Sequence, residues 1–119
     1  MTSTQFRHPN IRERELFNRL LAPPFPGRSE VEAQLADCLV RPIDANGSLS
    51  IQILSPVVAS TVRYRVPTEG EAEDQDGVTI HLLLHVVSGV TNELEIYKEN
   101  GSDVKQIPAD TLIRVFAPD

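Results

Sequence analysis

Residues 78–101 read VTIHLLLHVVSGVTNELEIYKENG, two alternating apolar and polar runs on either side of a Ser-Gly step, which predicts two antiparallel strands and a tight turn. The first places Ile80, Leu82, Leu84 and Val86 on one face and His81, Leu83, His85 and Val87 on the other. The second sets Leu94 and Ile96 against Glu93, Glu95 and Tyr97. An even-length loop would pair the wholly apolar face with the glutamates. A one-residue slip exchanges the faces, so the loop is expected to hold three residues, with Gly89 at positive φ.

Upstream, Asn10 and Glu13 form a capping box ahead of IRERELFNRLLA, where Leu16, Phe17, Leu20 and Leu21 make one apolar stripe. A helix is expected over 11–21, stopped by the prolines of APPFPG. Ser29 and Glu32 suggest a second box before a short helix over 30–37. Asn46-Gly47 between LVRPID and SLSIQIL predicts a two-residue type I′ hairpin, Pro42 opposite Ile51 and on a sheet edge. That register turns Val40, Leu49, Ile51 and Ile53 to one face. In STVRYRVP, Val62, Tyr64 and Val66 alternate with Thr61, Arg63 and Arg65, which predicts a third strand. Residues 67–77, rich in Glu and Asp, read as an exposed acidic loop, and residues 1–9 as flexible. A turn near Pro108 and a last short strand over 112–116 complete one domain spanning 1–119.

The fold class expected is α+β, two N-terminal helices packed on a mostly antiparallel sheet of five or six strands. Composition narrows the function classes. Eleven basic and 17 acidic residues leave a net charge of −6, which argues against nucleic acid or an anionic membrane as partner. No apolar run approaches the roughly 20 residues of a membrane span. The lone Cys38 makes no internal disulfide and reads as a buried structural thiol. With no charged-then-apolar leader after Met1, a cytoplasmic protein is expected.

For chemistry, the predicted polar sheet face collects His81, His85, Glu93 and Glu95, with Arg63 and Arg65 if the third strand is a neighbour. A histidine between carboxylates suits general-base work or a small polar ligand. The same residues also suit ordinary cross-strand ion pairing on a solvated surface. No metal site is expected: on a strand the rings of His81 and His85 stand about 13 Å apart, too far for one ion. The DQDG segment does not register as a calcium loop, because Leu83 falls on the closing ligand position. No nucleotide, hydrolase, thiol-redox or zinc-protease signature is present, and no catalytic residue or cofactor is assigned. The arginines of the first helix read as a solvated face.

The stretch over 83–101, LLHVVSGVTNELEIYKENG, with FPGR at 25–28, resembles a family of small bacterial proteins classed as a domain of unknown function. The resemblance rests on an ELEIY segment followed by a basic residue, an acidic residue and a glycine turn, with Asn100 where an aspartate is expected. It implies one compact α+β domain and carries no activity. Small size, acidity and the absence of a catalytic constellation make the expected function that of a small non-enzymatic binding protein, a homo-oligomer or the partner of another protein, with an immunity-like role by analogy. The alternative is a small enzyme or ligand binder built on His85 and Glu93 or Glu95.

Overall fold

A computed structural model describes residues 5–55 and 58–118, in which two helices lie on one six-stranded antiparallel sheet. The helices are α1 (Ile11–Leu20) and α2 (Arg28–Ala36). The strands are β1 (Cys38–Pro42), β2 (Leu49–Ile53), β3 (Thr68–Glu73), β4 (Thr79–Val87), β5 (Val90–Lys98) and β6 (Arg114–Phe116), in the spatial order β1-β2-β5-β4-β3-β6. The α+β class is as expected, and β4 and β5 stand at its centre. Helix α1 packs over β3 and β6 and α2 over β5, so the helices share one face of the sheet.

Helix α1 begins with the capping box: Glu13 N–H donates to Asn10 Oδ1 (2.8 Å) and the Glu13 carboxylate accepts from Asn10 N–H (2.9 Å). Its arginines do more than cover a solvated face. Arg19 donates to the Ile113 carbonyl (2.9 and 2.7 Å) and Arg12 to that of Pro108, so the helix holds the C-terminal segment by its backbone. Helix α2 lacks the expected Ser29 box. It starts two residues earlier, at Arg28, after the N-cap Gly27 with φ +84°, and Ser29 Oγ donates to the neighbouring Glu30 instead. A Cβ on Gly27 would lie 2.1 Å from Ser60 Oγ, so both the backbone angle and the space demand glycine.

Two corrections concern strands. The third strand is not STVRYRVP; it is TEGEAE, inside the segment expected to be an exposed acidic loop. Thr68, Gly70 and Ala72 turn inward while Glu69, Glu71 and Glu73 turn out. Gly70 leaves room for the C-terminal segment and α1: a Cβ there would meet Ile113 at 3.0 Å and Leu20 at 3.4 Å. Thr68 Oγ1 donates to the Leu20 carbonyl at the helix end (2.6 Å). Stronger β-formers at 62–66 lose to this fit, a tertiary override of propensity. The first hairpin is longer than expected, with Pro42 opposite Leu49 and Ile43 N–H bonded to the Ser48 carbonyl (3.0 Å), which leaves a loop over 44–47. Asp44 Oδ1 closes it by accepting from Asn46 and Ser48 N–H (2.9 and 3.2 Å). The register moves by two residues, so the faces stay as predicted, and Val40, Leu49 and Ile51 are buried.

The central hairpin reaches the expected register by another device. Val87 pairs with Val90 across a two-residue turn, Ser88 and Gly89 at φ +52° and +78°. The slip is made instead by a bulge, where Asn92 is skipped between the pairs His85–Glu93 and Val86–Thr91. Ile80, Leu82, Leu84, Val86, Leu94 and Ile96 all lie in the core. Of the segment expected to be flexible, residues 1–4 lie outside the described residues. Arg7 is tied into the sheet, exchanging both backbone hydrogen bonds with Val40 (2.9 and 2.7 Å). Cys38 is buried, and burial raises its thiol pKa, in keeping with a structural role.

Candidate functional site

With both helices on one face, no helix among the described residues covers the opposite face of the sheet. The register fixes their neighbours. Arg114, Glu71, His81 and Tyr97 form one row across β6, β3, β4 and β5. Phe116, Glu69, Leu83 and Glu95 form the next, and His85, Glu93, Ser50 and Arg41 continue toward β1. The middle strand thus carries His81, Leu83 and His85 between two columns of glutamates.

His85 is the most constrained polar group of this face, its side chain 13% exposed. Its Nε2 lies 2.8 Å from Glu95 Oε1, and Arg65 Nε–H donates to its Nδ1 (3.1 Å). An arginine can only donate, so Nδ1 is the acceptor and the ring hydrogen sits on Nε2, directed at Glu95. Arg65 reaches this position without a third strand around it; its carbonyl accepts from Val86 N–H (2.7 Å) as the chain leads into β3. Arg63 does not join the cluster. It lines a shallow hollow of about 350 Å³ with Tyr64, Arg65, Val86, Val87 and Ser88, at the end of the central hairpin.

His81 occupies a separate position on the same face. Its ring stacks on Tyr97 with centroids 4.9 Å apart and planes inclined by 17°. Glu99 and Glu71 lie 3.5 and 4.0 Å from its nitrogens, and Arg114 reaches Glu71 at 3.5 Å. The six residues singled out from sequence therefore divide: His85, Glu93, Glu95 and Arg65 gather, His81 stands in a second group, and Arg63 is apart. Glu69, Glu71 and Arg114 were missed, because TEGEAE was read as a loop. Its own signal was the period-two alternation of small residues with glutamates.

The nitrogen of His85 and the carboxylates of Glu93 and Glu95 lie within 4.8 Å of one another, close enough to raise the question of a cation. The hydrogen-bond pattern does not fit one. A metal on Nε2 requires the ring hydrogen on Nδ1, where Arg65 already donates.

On the core face of the same hairpin lies a different charged group. Lys98, with no exposed side-chain surface, contacts Asp74 (3.0 Å) and Asp76 (2.5 Å). Asp74 also accepts from the backbone N–H groups of Gln75, Lys105 and Gln106 at 2.7–3.0 Å. Burial opposes its ionisation, yet these donors and Lys98 hold the carboxyl well below the usual carboxylate range. The hydrogen bond from Lys98 to Asp76 raises the lysine pKa against the cost of burial. The DQDG segment thus does surround a cation, the ammonium of Lys98, which pins the β3–β4 turn and the 105–106 backbone to β5.

Residues 6–108 match the family described as Domain of unknown function (DUF6984). The chain belongs to that family. No curated protein and no solved structure matches it. No helix among the described residues is long and apolar enough to cross a membrane.

Proposed function

We propose that the chain is a non-enzymatic binding protein whose docking surface is the uncovered face of the sheet, and that the surface captures a cationic partner. The observation that carries this reading is the pair of glutamate columns, Glu69 and Glu71 on β3 and Glu93 and Glu95 on β5, on the face opposite the helices. A net charge of −6 supports it by favouring encounter with positive surfaces. The geometry of His85 also favours binding over base catalysis, since Arg65 occupies one ring nitrogen and Glu95 the hydrogen of the other.

The test is a titration with nona-lysine and with nona-glutamate at low salt, followed by backbone amide chemical shifts. Binding of the cationic peptide, mapped to residues 69–71 and 93–95 and lost on changing the four glutamates to glutamine, is expected. Shifts confined to the helices, or none, would overturn the reading. The hollow beside Arg63 and Arg65 supports a second reading, a small anionic ligand held next to His85. That reading predicts binding of a small dicarboxylate or phosphate that Arg63→Ala and Arg65→Ala abolish.

A further inference from the structure

Within the uncovered face one residue differs from its surroundings. Tyr97 is 38% exposed, a large aromatic group in a field of carboxylates. One flank of its ring is fixed by the stack on His81. On the other flank no strand among the described residues pairs with Tyr97: β2 meets β5 through Leu49 and Ser50 and stops short of this row. Glu95 lies one row away on the same strand, Glu71 is the other neighbour of His81, and Glu99 follows on the same side of the chain.

The carboxylates act on the ring as a group. The pKa of the Tyr97 hydroxyl is raised, first by burial and then by Glu95, Glu69, Glu99 and Glu71 together. The register puts Glu71 in the row of Tyr97 and Glu95 and Glu69 in the next. Of the basic residues nearby, Arg114 is drawn to Glu71 and Arg65 to His85, so both stand at the margins of the group.

An exposed aromatic ring bordered by carboxylates is the arrangement that receives an organic cation. The ring quadrupole attracts the charge and the carboxylates accept its hydrogens. We infer that Tyr97 is the anchor of the docking face, and that it receives an arginine side chain of a basic peptide segment, stacked on the ring and hydrogen-bonded to the adjoining glutamates. Arginine fits better than lysine, since its planar guanidinium stacks while its fork of N–H donors matches a carboxylate. The inference rests on the proposal that this face is the docking surface, and adds the residue and the chemistry that select the partner.

The chain has two tyrosines and no tryptophan, so Tyr64→Phe makes Tyr97 the sole source of tyrosine emission. That variant is titrated with acetylated, amidated tetra-arginine and tetra-lysine, with backbone amide shifts recorded in parallel. Saturable change in Tyr97 emission, and binding of tetra-arginine about three- to fivefold tighter than tetra-lysine, are expected. Tyr97→Leu, which keeps a strand-compatible side chain, should weaken tetra-arginine about three- to fivefold and remove the preference for arginine. Amide shifts on the sheet face with equal affinity for both peptides, or unaffected by Tyr97→Leu, would overturn the anchor and leave the docking face standing. No shifts on that face would overturn both. Self-association through the face in sedimentation velocity, blocking the peptide, would make a second copy the occupant and overturn the inference.

Discussion

Two charged groups sit on the central hairpin, on opposite faces of one sheet, and they behave as different kinds of object. Lys98 with Asp74 and Asp76 lies on the helix-bearing side of the sheet, where its contacts tie the β3–β4 turn and the 105–106 backbone to β5. His85 with Glu95 and Arg65 lies on the uncovered side, where each group keeps some contact with solvent. The chemistry is nearly the same in both, a cation or ring nitrogen between carboxylates. What separates them is water. Buried charges hold the fold because losing one strands the others in a medium that cannot solvate them, whereas charges at the surface are replaced by solvent at little cost. The uncovered cluster is of the second kind.

Removing Lys98 is the most direct way to break the contrast. Lys98→Met fills the volume but leaves Asp74, fully buried, without its ammonium, and it should cause the largest loss of stability of any single charge change in the chain. Urea denaturation followed by far-ultraviolet circular dichroism measures it. A stability close to that of the parent would show the buried group to be dispensable and erase the distinction between the two clusters. Acid should act more gently through the same group. The folded-state pKa of Asp74 lies below its ordinary 3.8, so its contribution is complete above that value and is lost as pH falls through and below it. The parent should therefore lose stability between about pH 5 and pH 2 more steeply than Asp74→Asn, whose residue 74 no longer titrates. Parallel slopes in urea denaturation across that range would refute the assignment.

How far this contrast was legible in the chain depends on parity. Once Leu94 and Ile96 are placed inward, a period of two also places Lys98 inward, a lysine on a core face that requires a buried counter-ion. Asp74 and Asp76 supply those counter-ions, but the acidic composition of 67–77 and its lack of large apolar residues predict a loop where β3 stands. Composition misleads there because Gly70 leaves room for Ile113 and for Leu20 of α1, and that closeness is a tertiary fact that no local window holds. That His85 faces Glu93 or Glu95 is legible, since only one parity of register buries the apolar face. The bulge at Asn92 that sets it was not, because a three-residue turn gives the same faces. Tyr97 was assigned to the correct face, yet its isolation among glutamates emerged only when β3 took its place on the other side of β4.

The smallest effect completes the comparison from the other side. His85→Gln and Glu95→Gln each remove a charge or ring from a cluster in which Glu95 is 39% exposed and Arg65 lies at the surface. Water can take the place of either partner, so each change should lower stability by no more than about 1 kcal/mol. Because the two residues share one hydrogen bond of 2.8 Å, the double variant should lose less than the sum of the singles, a coupling of a few tenths of a kcal/mol, about the size expected of an exposed pair. A double-mutant cycle in urea measures both quantities. Single losses near those of Lys98→Met would mean that the uncovered cluster holds the fold as the buried one does, and the case for treating it as a surface reserved for a partner would fall with that result.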